Sequence, residues 1–99
     1  MAKVTMARAK VYITRLESLI HIKEAALFLL PSLFSKDADE SLLAQKQVSR
    51  LVNRFYRENE DCVAFQQCEA AKNDIEYFLV LVELALVHAK RDAEKAKGR

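Results

Sequence analysis

Apolar residues return at helical spacing along almost the whole chain, and in two stretches they crowd every side of the helix at once. The first stretch is Ala25-Ala26-Leu27-Phe28-Leu29-Leu30, and the second runs from Tyr77 to Val87 with Glu83 as its single polar interruption. A helix that is apolar all round needs neighbours on more than one face. The chain itself can cover one face of each stretch. The other face then needs a second copy or a partner, so the pattern predicts association into a helical dimer.

The spacing predicts a first helix from about Lys3 to Leu30, stopped by Pro31, which lacks an N–H and disfavours the α region at the residue before it. Tyr12, Ile13, Leu16, Leu19, Ile20, Leu27 and Leu30 form its apolar stripe, with Lys3, Lys10, Thr14, Glu17, His21 and Glu24 opposite. Lys23 falls inside the apolar stripe, where it either carries its ammonium to the edge or pairs with a carboxylate. A loop follows from Pro31 to Asp37, with Leu33 and Phe34 expected to fold back. Asp37 and Glu40 have capping-box spacing and place the start of a second helix, which runs to about Glu58 with Ala44, Val48, Leu51, Val52 and Phe55 inward.

Asp61 is the expected N-cap of a third helix. From there Ala64, Cys68, Ala71, Ile75, Phe78, Val82, Ala85 and Ala89 alternate at three and four residues, beside a charged stripe of Glu69, Lys72, Glu76, Glu83, Lys90 and Glu94. Both stripes keep phase through Lys72-Asn73-Asp74, which predicts one long helix fraying near Lys97. Asn73 with Glu76 offers the alternative of a cap and a break there. On the far side of the third helix Tyr77, Val80, Leu81, Leu84 and Val87, with His88 at the end, form a second apolar patch, the expected association interface.

One Gly and one Pro among 99 residues leave too few turn residues for a sheet protein. The fold class expected is therefore all-α, a single domain built as an antiparallel three-helix bundle with long first and third helices. Sixteen basic and fourteen acidic side chains give a net charge of +2, too small to make nucleic acid the partner by bulk charge alone. Their distribution is uneven, since Glu58 to Glu76 is rich in acids while the chain before Lys23 is basic. Cys62 and Cys68, six apart on one expected helix, cannot reach each other there, which favours a reducing, cytoplasmic setting. The first residues lack the apolar core of a secretory signal, and the longest apolar run falls short of the ~20 residues that span a bilayer, so no membrane association is expected.

Lys46, Arg50, Arg54 and Arg57, at spacings of four, four and three, share the outer face of the second helix with Asn53 and Gln47, and no acid interrupts them. Such a stripe pairs with acids of the same or a neighbouring subunit, binds an acidic protein, or follows a phosphate backbone. No aromatic residue of the second helix is interleaved with it on that face, which gives little support to base stacking. Glu17, His21 and Glu24 share one helical face, but it is the polar face and lacks the Glu-x-x-His spacing of di-metal bundles, so no metal and no cofactor are expected. Arg15 and His21 have five residues between them, a spacing similar to the Arg and His of helical HEPN ribonucleases. In those enzymes the pair sits on a later helix with a polar residue after the Arg, whereas here Leu16 follows. No nucleophile motif or glycine-rich phosphate loop occurs.

The function expected is that of a small non-catalytic helical binding protein, an adaptor, regulator or inhibitor, using apolar helix faces and the basic stripe. The alternatives are a dimeric nucleic-acid-binding protein using the second helix, and a helical ribonuclease built on Arg15 and His21.

Overall fold

The computed structural model of the chain describes the backbone of residues 2–97 and the side chains of residues 10–95. Lys3 of the expected polar face lies outside those side chains. Four helices form: α1 (Ala2–Leu33), α2 (Ala38–Glu58), α3 (Phe65–Ala71) and α4 (Ile75–Lys97), with no strand among the described residues. The all-helical class expected from the composition holds. The three-helix count does not, because the expected long third helix is broken.

Pro31 does not stop α1. It sits on the exposed side of the last turn, where a missing N–H forfeits one hydrogen bond, and the pattern resumes with the Phe34 N–H donating to the Leu30 carbonyl at 3.2 Å. The end of α1 is tied to α2 from outside the helix. The Ser41 hydroxyl donates to the Leu33 carbonyl at 3.0 Å, and Ser32 and Ser35 donate to the Glu40 carboxylate at 3.1 and 2.9 Å. Leu33 packs against the core as expected, whereas Phe34 stays in solvent. Asp37 caps α2 by accepting from the backbone N–H groups of Asp39 and Glu40. Glu40 does not complete the capping box, because the two serines hold its carboxylate.

After α2 the chain makes a turn and not a helix. Asp61 is bound to Arg15 at 3.0 Å and caps nothing, and α3 begins only at Phe65, with Gln67 reaching back to the Ala64 N–H at 2.9 Å. Asn59 holds this turn: its buried side-chain amide donates to the Phe55 carbonyl at 2.9 Å, and its own carbonyl accepts from Cys62 and Val63. A second turn at Lys72-Asn73-Asp74 separates α3 from α4. Asp74, not Asn73, caps α4 by accepting from the Tyr77 N–H at 3.2 Å. Cys68, Ala71 and Phe78 are all buried and Ile75 packs against them, so the apolar stripe keeps its phase although the helix does not.

Ser41 bonded to Leu33 at one end and Ser18 bonded to Arg54 and Glu58 at the other set α1 and α2 antiparallel. The Lys23–Glu83 ion pair, with Leu33 and Ile75 lining one cavity, sets α4 antiparallel to α1 as well. α2 and α4 therefore run the same way. The turn and α3 between them carry the chain back along the molecule, which measures 55 × 24 × 17 Å.

The core joins Leu19, Ile22 and Ala26 of α1 to Val48, Val52 and Phe55 of α2 and to Phe78, Val82 and Leu86 of α4. Burying each such large aliphatic or aromatic side chain contributes on the order of 1.5–3 kcal/mol. In α1 the buried face is rotated from the expected stripe. Ile22 and Ala26 are fully buried, whereas Ile20 and Leu27 are exposed at the edge.

Candidate binding surfaces

Packing α1 against α2 builds a feature that neither helix carries alone. Ala25, Phe28 and Leu29 of α1 and Leu51 of α2 line an apolar groove of about 480 Å³, bordered by Gln47, Arg50, Arg54 and Arg57. α2 is strongly amphipathic, so burying Val48, Val52 and Phe55 turns its arginines outward along this edge. α1 supplies the apolar wall because its last turns have more apolar residues than one core can take up. Phe28 is left 82% exposed.

The arginines are not equivalent. Arg54 is engaged within the chain, by Glu58 at 3.5 Å and by the Ser18 hydroxyl at 2.9 Å. Of the acids from Glu58 to Glu76, Glu58 reaches the stripe at Arg54, while among the described residues no ion pair involves Lys46, Arg50 or Arg57. Lys46 faces a different hollow, at the end of the molecule, beside Phe34, Leu42, Lys72 and Asn73. Asn53 is exposed on α2 and does not line the groove. Phe28 is the part of this surface that sequence spacing missed, because it comes from another helix. The signal available was the run from Ala25 to Leu30, apolar on every side.

The expected association patch on α4 divides in two. Leu81 is buried in the chain's own core and presents almost no surface, while Tyr77 packs half-buried against that core. Val80, Leu84 and Val87 are about half exposed and, with Leu79 and Glu83, line a shallow apolar hollow of about 300 Å³. His88 is exposed at the end of this face. Glu83 pairs with Lys23, and both side chains keep access to solvent at 51% and 39%. Lys23 thus carries its ammonium to the edge of the apolar stripe, where it meets a carboxylate at the seam of α1 and α4 and not in the interior.

Arg15 and His21 are not brought together. Six residues on a helix turn them roughly 120° apart, Arg15 is bound to Asp61, and His21 is exposed on another side. The cysteines also sit differently from expectation, with Cys62 exposed in the turn and Cys68 buried in α3, both free. Burial pushes both thiols above their ordinary pKa; Asp61 adds to the effect at Cys62 and Glu69 at Cys68, while Arg15 and Lys72 partly offset it. A raised pKa lowers the thiolate fraction, the opposite of what activates a cysteine nucleophile. Among the described residues no group of three or more His, Cys, Asp or Glu is placed to hold a metal ion, and no helix is long and apolar enough to cross a membrane.

Comparison with protein-family models, with curated proteins and with solved structures finds no match to this chain.

Proposed function

We propose that the chain is a non-catalytic helical binding protein, an adaptor, regulator or inhibitor, that works as a homodimer in a reducing cytoplasmic setting. Its recognition surface is the α1–α2 groove, and its ligand is an acidic amphipathic helix of another protein. One observation carries this: two arginines that form no ion pair among the described residues, Arg50 and Arg57, border an apolar groove walled by an exposed Phe28. Aromatic residues, Phe among them, and arginine are enriched at protein interfaces relative to the rest of the surface. Arg50 and Arg57 are two helical turns apart, roughly 10.5 Å along the axis. A ligand helix with acids seven residues apart matches that spacing while its apolar face meets Phe28, Leu29 and Leu51. Dimerisation belongs to the other exposed face, on α4.

The same Phe28 beside arginines favours, as a second reading, single-stranded nucleic acid with a base stacked on the ring. Ribonuclease chemistry on Arg15 and His21 has less support, since the two side chains diverge.

The test is co-purification from the protein's own host with wild type and with the Arg50→Glu/Arg57→Glu variant. A protein partner held by wild type and lost by the variant is the expected result. Retained nucleic acid in its place, seen as excess absorbance at 260 nm, selects the second reading. A partner indifferent to both reversals removes the groove from recognition.

A further inference from the structure

Resting on the self-association proposed above, we infer that the second copy docks on the α1–α4 seam, with its two-fold axis parallel to these helices and Lys23 of each copy against Glu83 of the other. The exposed face of α4 alone offers three apolar side chains, Val80, Leu84 and Val87. Across the seam α1 adds two more. Ile20 and Leu27 lie three residues before and four residues after Lys23, one helical turn to either side of it, and both are exposed. The ion pair therefore sits in the middle of an apolar surface contributed by two helices.

That arrangement is self-complementary in only one orientation. Two copies of one face meet about an axis lying in the plane of contact. If the axis runs across the helices, Lys23 meets Lys23 and Glu83 meets Glu83. If it runs along them, each lysine faces a glutamate and the four charges alternate around a square. The second orientation lays α1 of one copy over α4 of the other. Because α1 and α4 are antiparallel within the chain, every neighbouring pair in the resulting four-helix layer is antiparallel too, the up-down arrangement in which helix bundles commonly pack. An axis across the helices would keep the neighbours antiparallel as well, so the charges alone choose between the two orientations.

An unpaired charge inside a closing apolar contact is costly, whereas the monomer leaves both groups half in water and tolerates their replacement. Lys23→Glu therefore puts four acids at the centre of a homodimer, and Glu83→Lys puts four lysines there. Mixed in equal amounts, the two variants present only opposite charges to each other.

The experiment is sedimentation equilibrium on wild type, Lys23→Glu, Glu83→Lys and their equimolar mixture, with helical content checked by circular dichroism. Wild type is expected as a dimer, each variant as a monomer or at least tenfold weaker in association, and the mixture as a dimer. A monomeric wild type at ~100 μM would overturn the self-association itself. Wild type and both single variants dimerising equally would keep self-association and overturn this face. If either charge variant fails to fold, Leu27→Cys and Val80→Cys proteins in a Cys62→Ser background are mixed and oxidised instead. A disulfide-linked dimer containing one of each is expected, and no enrichment of that species over the two homodimers overturns the arrangement.

Discussion

Phe55 of α2 meets Phe78 of α4 edge to face, with ring centroids 5.6 Å apart and ring planes at 85°. Both rings are fully buried, and they join two helices that otherwise share little surface, since α1 packs against each of them far more extensively. The contact therefore carries a disproportionate part of the α2–α4 association. Phe78→Ala is expected to cost about 3–5 kcal/mol, enough to endanger folding in a small domain of ordinary stability. The milder Phe55→Leu and Phe78→Leu changes, read in urea at one protein concentration, are expected to couple by about 0.5–1.5 kcal/mol in a double-mutant cycle. Strict additivity would show that the two rings are neighbours without mutual stabilisation.

Asn59 ends α2 with its side chain buried. The amide nitrogen is satisfied by the Phe55 carbonyl, while the side-chain oxygen finds no hydrogen-bond partner among the described residues. Removing the group in Asn59→Ala takes away one good bond and one unsatisfied acceptor together, so the expected loss is only about 1–2 kcal/mol. Asn59→Asp is the sharper probe, since it puts a carboxyl group in the same buried place. Burial there raises the new carboxyl's folded-state pKa above its unfolded value. The protonated form is then the compatible one, so stability is present at low pH and lost as pH rises. Urea midpoints of the Asp variant relative to wild type should recover on going from pH 7 toward pH 4. A pH-independent gap would mean that the turn opens and hydrates the carboxylate.

What could be read from the sequence followed how clearly each helix separates apolar from polar positions. α2 does so cleanly, and its limits, its cap Asp37 and its buried Ala44, Val48, Val52 and Phe55 all agree with the expectation. α1 does not, because from Leu19 onward its apolar residues lie on nearly every side. Ile20 and Leu27 are as apolar as Ile22, and only the positions of α2 and α4 decide which of them is buried. The break at Asn73 was open for a related reason: the stripe from Cys68 to Phe78 runs on across a turn, and the cap that ends the ambiguity, Asp74 to the Tyr77 N–H, is local and short. The binding groove was legible by halves. Its arginines follow from α2 alone, but Phe28 joins them only through the packing of α1.

Asp37 links the loop after α1 to the start of α2. One carboxylate oxygen accepts from the Asp39 N–H at 2.9 Å and from the Glu40 N–H at 3.4 Å, satisfying donors that the first turn leaves free. Asp37→Ala is expected to destabilise by about 0.5–2 kcal/mol, and Asp37→Asn by less, since an amide oxygen accepts the same bonds. Hydrogen exchange locates the effect: amides of the first turn of α2 should lose protection first, while those around Val52 and Phe55 change only with global stability. Uniform loss along α2 would mean that the cap acts on the whole helix and not on its end.

Cys68 sets an alkaline limit on the fold. Its thiol lies buried between Ala71 and the rest of the core, and its pKa is raised by burial first and by Glu69 second, with Lys72 pulling weakly the other way. In the unfolded chain the thiol ionises at its ordinary value, roughly 8.5. The folded state holds the proton to higher pH, so unfolding releases it in that window. The stabilisation is complete below the ordinary thiol pKa and disappears as pH rises through the raised one. Urea midpoints should therefore fall as pH climbs past about 8.5, and Cys68→Ala, though less stable at neutral pH, should show a flatter decline. Exposed Cys62, with its pKa raised in the same direction, contributes a parallel fall that Cys62→Ala removes. A thiol-reactive probe separates the two: Cys62 should label in the folded protein and Cys68 only on unfolding. Equal labelling of both under native conditions would mean that α3 opens readily, and the alkaline loss would then belong to local unfolding of that helix.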